Sequence, residues 1–365
     1  MTVQSIIDTL ERLAPSALQE DYDNAGLITG SSHWTCTGAM ISLDATEEVI
    51  LEAVQNKCNL VISHHPIVFR GMKKLNGKNY WERAVIAAIK NDVALLAVHT
   101  NLDHVLDGVN GRAADLLGLT NRKVLLPKKE LISKLQVYVP QAHRPDLEKA
   151  LFDAGAGYIG HYSECSFYSE GWGSFKPELE AQPFVGKVGS RHTEKEHKLE
   201  VVFPSWLENK VLKAMKLAHP YEEVAYEVVS LNNEWGAVGA GVLGEWPEAL
   251  DELDALAKMK QVFGLSLIKH TPFVGKKIRK VAFCGGAGSF LTGRAIAAGA
   301  DLFITSDIKY HEFFDGEGKI LLTDIGHFES ERHTIDLLAD VLRQKFPTFA
   351  LLKSKVNTNP VNYFI

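Results

Sequence analysis

Four short motifs place histidines and carboxylates directly after apolar segments that are typical of buried strands. They are "SHHP" (63–66), "HTNLDH" (99–104), "TSDIKYHE" (305–312) and "DIGHFESE" (324–331). In the first motif, the run 60–62 predicts a strand buried on both faces. Pro66 ends that strand because proline cannot donate to a sheet ladder. Ligand sites of open α/β sheets lie at the carboxyl ends of strands, so one crevice can collect all four motifs.

The residue types in these motifs suit the binding of divalent transition metals. The candidate ligands are His64, His65, Asp103, His327 and Glu331, with His99 close behind. His327 and Glu331 stand four residues apart, so they share one helix face. Nitrogen and oxygen donors without a thiolate suit Zn, Fe, Mn, Co or Ni more than Ca or Mg. The set is larger than one tetrahedral ion needs, whereas two ions bridged by a carboxylate and a water would use all of it.

Each motif taken singly also has a plainer interpretation. Asp103 fits a turn or a helix cap, and a lone His327–Glu331 pair fits a solvent-facing helix pair. Asp44 either caps the following helix, where Thr46 is the other candidate, or orients a ligand, and the cap is favoured. We expect His104 and His333 at the surface. The shared position of all four motifs after strands is the argument for a metal site.

A glycine-rich segment, "CGGAGSF" (284–290), lies between a predicted strand and a predicted helix. Gly285, Gly286, Gly288 and Ser289 form a candidate anion-binding loop, since backbone N–H groups at such a turn can hold a phosphate. A tight turn with close packing at the glycines explains the segment equally well. The full G-x-G-x-x-G pattern is missing, so a dinucleotide fingerprint is not supported.

The order of the predicted elements indicates an α/β protein with one discontinuous domain. Strands and helices alternate up to about residue 127 and again after Trp235, which predicts a mostly parallel sheet. A long helix is expected over about 327–345. Residues 128–232 read as strand-helix-strand-strand-helix-strand, the ferredoxin-like order. We therefore predict a metal-binding α/β domain from 1–127 together with 233–365, and an inserted ferredoxin-like α+β domain over 128–232.

Composition argues against several classes of protein. The chain has 365 residues, 46% hydrophobic and 23% charged, which is enough for a full core. Its 39 basic and 45 acidic residues give a net charge of −6, which provides no electrostatic footprint for nucleic acid. No apolar run approaches the length of a membrane span, and the amino-terminal segment carries acids and helical periodicity unlike a signal peptide. Four scattered cysteines suggest reduced thiols, so we expect a cytoplasmic protein.

Taken together, the motifs resemble those of a known family. The segments "YDNAGLITG", "SHHPIVF", "HTNLDHVLDGVN", "GGAGSF", "TSDIKYHE" and "GHFESE" are similar, in this order, to motifs of the Nif-three-like family, also labelled GTP cyclohydrolase 1 type 2 homologues. The resemblance implies a two-lobed α/β body with a dinuclear metal site between the lobes. The implied ligands are His64, His65, Asp103, His327 and Glu331, with Glu331 bridging. It further implies a toroidal homohexamer and, in longer members, a middle domain similar to PII and CutA proteins.

Two functions remain open on these motifs. The first is a metal-dependent hydrolase acting on a nucleotide or another phosphorylated compound, because two ions yield hydroxide from bound water at neutral pH. GTP ring opening is one such reaction, and His99, Tyr310, His311 and Glu329 are the candidates for acid/base roles. The second is a non-enzymatic metal-handling or regulatory assembly protein. Resemblance in fold does not by itself assign the chemistry.

Overall fold

The computed structural model describes residues 1–364, which fold into two compact units. The large unit comprises residues 1–127 together with the chain from Gly236 onward, and the small unit comprises Lys128–Trp235. Across the described residues, no helix is both long enough and apolar enough to cross a membrane.

The first part of the large unit alternates helices and strands. Its elements are α1 (Val3–Leu13), β1 (Gly26–Thr29), β2 (Ala39–Asp44), α2 (Glu47–Gln55), β3 (Leu60–His65), α3 (Tyr80–Lys90), β4 (Ala94–Ala97), α4 (Thr100–His104), α5 (Val109–Leu117) and β5 (Thr120–Lys128). The predicted strand over 39–44 is confirmed, and β3 ends at His65, immediately before Pro66. Thr46, not Asp44, caps α2, since its hydroxyl accepts from the N–H of Val49. The cap expected at Asp44 is therefore wrong.

The small unit contains four strands and two helices. They are β6 (Ile132–Pro140), α6 (Arg144–Asp153), β7 (Phe167–Phe175), β8 (His192–Pro204), α7 (Glu208–Ala218) and β9 (Tyr226–Leu231). The strands form one sheet in the order β7-β8-β6-β9, and every neighbouring pair is antiparallel. Both helices pack on one face of this sheet, where Leu135, Val137 and Leu199 are fully buried.

The chain then completes the large unit. Its elements are β10 (Trp235–Leu250), α8 (Glu252–Phe263), β11 (Lys269–His270), β12 (Ile278–Ala287), α9 (Thr292–Ala297), β13 (Leu302–Ser306), β14 (Leu321–Asp324), α10 (His327–Glu331), α11 (Thr334–Lys345) and β15 (Leu351–Lys353). The single long helix expected over 327–345 is wrong, because α10 and α11 are separate. At the break, Arg332 donates to the carbonyl of Phe263, and the His333 ring donates to the carbonyl of Val109. These bonds hold both break residues against other elements.

The large unit contains two sheets, each covered by helices. The order β1-β4-β3-β2-β15 forms the first sheet, and β11-β14-β13-β12-β10-β5 forms the second. In the first, β15, β2, β3 and β4 are mutually parallel neighbours, and in the second β12, β13 and β14 are parallel. Apolar residues of α1 and α11 cover one face of the first sheet, and those of α2 and α3 cover the other. The carboxyl ends of β3, β4 and β14 therefore present the residues that follow them to solvent-accessible crevices, as parallel sheets do.

Candidate metal centre

The histidines and carboxylates of the sequence motifs meet at one place in the large unit. Three groups have ligand atoms that all lie within 4.8 Å of one another: His64, His65 and His99; His65, His327 and Glu331; and His64, Asp103 and Glu331. They come from the end of β3, from His99 and α4 after β4, and from α10 after β14. The structure thus brings together all five predicted ligands, together with His99.

Glu331 lies at the middle of this cluster, and 97% of its surface is buried. Its Oε2 atom is 2.9 Å from Nε2 of His65, 3.1 Å from Nε2 of His327 and 3.8 Å from Nε2 of His64. The contact with His327 is the i,i+4 pair on one face of α10 that the spacing predicted. One carboxylate oxygen therefore faces three imidazoles.

Each imidazole of the centre is held from behind by a hydrogen-bond acceptor. The four bonds run from Nδ1 of His64 to the carbonyl of Val98 (2.8 Å), His65 to Asp44 (2.7 Å), His99 to Asp23 (2.8 Å) and His327 to Asp307 (2.6 Å). Because each partner is an acceptor, Nδ1 must carry the proton, and Nε2 is the nitrogen available to a ligand. A carboxylate or carbonyl behind a metal-binding histidine fixes the tautomer and the ring orientation in this way.

Two buried acceptors face each other in the centre without a donor between them. Nε2 of His64 and Oδ1 of Asp103 lie 3.6 Å apart, and neither makes a hydrogen bond with any group of residues 1–364. Buried polar atoms left without partners are costly. Ligand atoms of a tetrahedral ion with bonds of 2.0–2.2 Å lie about 3.4 Å apart. The separation and the donor types therefore fit a cation between them.

The charges of the cluster also favour a cation. Burial raises the pKa of Asp103, and the neighbouring Glu331 carboxylate raises it further. Burial alone would raise the pKa of Glu331, but hydrogen bonds from His327 and His65, together with the nearby His64 imidazole, hold it well below its usual range. Burial alone would lower the pKa of His327, yet its bonds to Asp307 and Glu331 raise it to about 11. Protons on the imidazoles thus balance the negative charge of the carboxylates. Bound divalent cations would balance the same negative charge.

The glycine segment 285–288 packs beside this centre and uses its donors internally. All three glycine N–H groups donate to side chains of the protein: Gly285 to Asn110 (2.9 Å), Gly286 to Ser330 (3.0 Å) and Gly288 to Thr305 (3.0 Å). The hydroxyl of Ser289 hydrogen-bonds to Glu312. These donors are therefore occupied, and the contacts favour close packing over the anion-binding interpretation.

The reason for glycine in this segment is its approach to Glu331. A Cβ added at Gly286 would lie 2.5 Å from Oε1 of Glu331, and one at Gly285 would lie 3.1 Å from its Cγ. Gly286 also has a φ of +62°, a conformation that side chains with a Cβ rarely adopt. The segment forms the wall against which the central carboxylate rests.

Two cavities open onto the centre from solvent. One of about 710 Å³ is lined by His65, His99 and His327 together with the aromatic side chains of Phe69 and Tyr80. The other, of about 440 Å³, also reaches His65 and His327 and is bordered by Glu329 and by residues 359–361 and 363. The centre is therefore accessible, unlike a closed structural metal site.

The candidate acid/base residues lie at different distances from the cluster. His99 belongs to it, and Glu329 borders the smaller cavity, where it accepts a hydrogen bond from Asn359. His311 and Tyr310 lie outside all three ligand groups, on the 310–316 turn, where their rings contact Phe314. Only His99 and Glu329 are thus placed beside the centre.

Two other histidines expected at the surface are buried, so that expectation is wrong. His104 is 94% buried and lies 2.6 Å from a carboxylate oxygen of Glu20. His333 is 95% buried and donates to the carbonyl of Val109. Burial lowers the pKa of His333 to about 4. Their partners lie 84 and 224 residues away in sequence, so no local pattern indicated them.

Sequence reasoning missed the roles of Asp23 and Asp307, and it favoured the wrong role for Asp44. Asp23 lies in "YDNAGLITG" and Asp307 in "TSDIKYHE", so both residues fall within motifs of the sequence analysis. Asp44 also accepts a hydrogen bond from Thr358, which links the carboxyl-terminal segment to His65. The available signal was the position of Asp44 at the end of β2, the strand next to β3, which carries the histidines. Asp44 and His65 are register partners in these two strands.

Replacing Asp44 with asparagine is expected to weaken metal binding by roughly 10–100-fold, the usual cost of losing such a supporting carboxylate. The amide keeps the size of the side chain but removes the charge behind His65. Competition with a chromophoric chelator would measure the affinity, with the exposed Asp8→Asn on α1 as control. A variant that loses helical content while retaining metal affinity would show that Asp44 supports α2 instead.

Comparison with known proteins places this architecture in a family. The family model described as Duf34/NIF3 (NGG1p interacting factor 3) matches residues 1–360. This chain belongs to the NIF3 family. Its three sheets form a mixed α/β fold of the NIF3 type, and its buried histidine and carboxylate clusters can hold metal ions.

Relatives of this NIF3 protein match it over nearly their full lengths. A Halalkalibacterium halodurans protein named GTP cyclohydrolase 1 type 2 homolog is 35% identical over 99% of this chain and 98% of its own. A crystal structure of a Bacillus cereus protein related to NIF3 is 34% identical, with a TM-score of 0.86 over 100% of this chain and 99% of its own. A Staphylococcus aureus protein structure matches at 27% identity with a TM-score of 0.80.

Proposed function

We propose that this NIF3-family chain is a metal-dependent hydrolase of a nucleotide or another phosphorylated compound. Its ions would be two divalent transition metals, held by His64, His65, Asp103, His327 and Glu331. The name GTP cyclohydrolase 1 type 2 homolog, carried by relatives about one third identical, supports a nucleotide as substrate. The chemistry of the donor set supports Zn, Fe, Mn, Co or Ni.

The arrangement of the ligand groups supports two ions rather than one. The group of His65, His327 and Glu331 and the group of His64, Asp103 and Glu331 have only Glu331 in common. Two ions with one shared carboxylate would use each group once. The second group contains the buried atoms of His64 and Asp103 that lack hydrogen-bond partners. The first group contains His327, whose side chain is partly exposed to solvent.

The observation that carries the hydrolase proposal is the open cavity of about 710 Å³ beside the ligands. Small-molecule sites usually enclose about 300–1,000 Å³. Phe69 is 47% exposed and Tyr80 is 65% exposed in this wall, so each has ring surface available to a flat base. A protein that only stored metal would need no such aromatic space next to its ligands.

The chain's own residues would act around the metals. Divalent ions held there would lower the pKa of a bound water and would polarise the bond under attack. His99 is oriented by Asp23, whose pKa is lowered to about 2 by the bonds from His99 and Thr100 although burial opposes this. An imidazole held in this way can take or deliver a proton at Nε2.

The alternative is metal handling without turnover. The side chain of His327 is 41% exposed, so a ligand of one ion is accessible to solvent and to a competing chelator. That accessibility suits exchange of the metal as well as entry of a substrate.

The expected toroidal homohexamer and the ferredoxin-like nature of the small unit stay predictions. The second prediction is supported by the β-α-β-β-α-β order of the small unit.

A turnover assay on metal-quantified protein separates the two functions. We expect the metal-loaded chain to convert at least one member of a panel of nucleotides and other phosphorylated compounds, with GTP tested first. Activity should disappear on chelation, return on metal addition, and be absent in Asp103→Asn. The exposed Asp8→Asn should behave as wild type. Stoichiometric metal that exchanges within minutes, with no conversion of any panel member, would reject the hydrolase in favour of metal handling.

A further inference from the structure

The small unit has a cavity of its own, of about 670 Å³, on the face of its sheet that carries no helix. Tyr138 and Lys198 line it, and they alternate along β6 and β8 with Val137 and Leu199, which face the helices. Successive strand residues point to opposite faces, so the cavity lies on the face opposite α6 and α7. The segment after β7, from Lys176 to Phe184, forms part of its wall.

A buried carboxylate lies in this cavity. Glu196 on β8 is 94% buried and lines the cavity. Its direct partner across the sheet is Gly171, where an added Cβ would meet no atom within 4 Å. At the neighbouring Gly173, an added Cβ would collide with the Glu196 carboxylate. Two glycines thus leave open the space that Glu196 and the cavity occupy.

The Glu196 carboxylate has no cationic partner in the described part of the chain. Within the described residues, its one hydrogen bond comes from the hydroxyl of Tyr221, at 2.8 Å. No Lys, Arg or His nitrogen of these residues lies within 4.0 Å of the carboxylate, the distance at which an ion pair forms. Lys198, which also lines the cavity, pairs instead with Glu200 at 3.1 Å. Burial and the bond to Glu196 raise the pKa of Tyr221. A buried carboxylate is usually paired with a positive charge, and here that charge is missing.

The rest of the lining favours a positively charged molecule. Five carboxylates and two lysines border the cavity. Aromatic rings lie beside Tyr221, the hydrogen-bond partner of Glu196: Phe175 is 5.9 Å and Phe184 is 6.3 Å from the ring of Tyr221, centroid to centroid. Tyr221 is itself fixed, because its N–H donates to His219, whose other ring nitrogen donates to the carbonyl of Tyr138. Aromatic faces attract cations and cover flat apolar groups.

We propose that this cavity binds a small organic cation, with an ammonium or guanidinium group at Glu196 and an apolar or flat body against Phe175, Phe184 and Tyr221. The site would be separate from the metal centre, since all its residues belong to the small unit. It would give the chain a binding function for amines that does not depend on metal.

Calorimetric titration of the full-length chain with tryptamine tests the charge and the shape of this site. We expect saturable binding in the millimolar range or tighter, as a ligand of about a dozen heavy atoms allows. Indole-3-propionate carries the same ring with a carboxylate in place of the amine, and it should bind at least tenfold more weakly. Equal binding of the two compounds, or no binding of either tryptamine or agmatine, would overturn the proposal.

Three variants locate the binding. Glu196→Gln keeps the size of the side chain and an acceptor for Tyr221, and it should weaken tryptamine binding at least tenfold. Gly171→Leu adds a side chain into open space on the same face of the sheet and should abolish binding without lowering the melting temperature by more than a few degrees. Asp146→Asn, at an exposed position of α6 on the opposite face of the sheet, is the control and should bind as wild type. If Glu196→Gln and Gly171→Leu both bind tryptamine as wild type does, the cation lies elsewhere and the proposal fails.

Discussion

Replacing Glu331 with glutamine is expected to remove both of the metal ions that we propose for the large unit. The Oε2 atom of Glu331 lies within 3.8 Å of three imidazole nitrogens, and Glu331 belongs to both ligand groups that would form the two sites. An amide cannot supply the negative charge of the carboxylate. Loss of a residue that only hydrogen-bonds to a metal ligand, without touching the metal itself, already costs roughly 10–100-fold in metal affinity. Loss of a shared ligand should cost more, and it should do so at both ions.

Elemental analysis of the purified variant measures this effect. Glu329→Gln is the matched control, because it lies two residues away on α10 and hydrogen-bonds to Asn359 instead of to the imidazoles. The control should retain its metal, and metal addition should raise its melting temperature as ligand binding to the native state does. If Glu331→Gln retains one ion at full occupancy, Glu331 is not shared between two sites.

Replacing Gly286 with alanine is expected to destabilise the large unit and to lower its metal content. At the φ of +62° an L residue costs about 1–2 kcal/mol. The new Cβ would also lie 2.5 Å from Oε1 of Glu331, which is too close for either atom to stay in place. Overpacking of a buried site typically costs a further 1–3 kcal/mol. The free energy of unfolding should therefore fall by about 2–5 kcal/mol, and the displaced carboxylate should bind metal less tightly.

Gly318→Ala separates the two causes. Gly318 has nearly the same φ, +64°, but an added Cβ there would meet no atom within 4 Å. Its cost should be that of the backbone conformation alone, with unchanged metal content. Scanning calorimetry and elemental analysis of both variants provide the comparison. Equal losses of stability, with full metal content in both, would mean that contact with Glu331 is not the reason for glycine at 286.

The local sequence was enough to determine those features of this protein that depend only on residues close together in the chain. The strand over 39–44 and the end of β3 before Pro66 follow from apolar runs and from proline's missing donor. The shared face of His327 and Glu331 follows from the helical repeat of 3.6 residues. Placement after parallel strands was enough to predict that distant motifs would meet, because such strand ends line one crevice. The sequence alone therefore determines the set of candidate ligands.

The tertiary structure alone decided how those ligands are held. Asp23 reaches His99 across 76 residues, and Asp44 reaches His65 across 21, through segments whose relative positions no local pattern encodes. The same limit applies to the buried His104 and to the break between α10 and α11, where Arg332 bonds a carbonyl 69 residues away. It also decided the role of the glycine segment, whose donors are taken by side chains from three other parts of the chain. A side-chain hydrogen bond depends on distance and angle in space, so its partner is known only when the fold has brought both groups together.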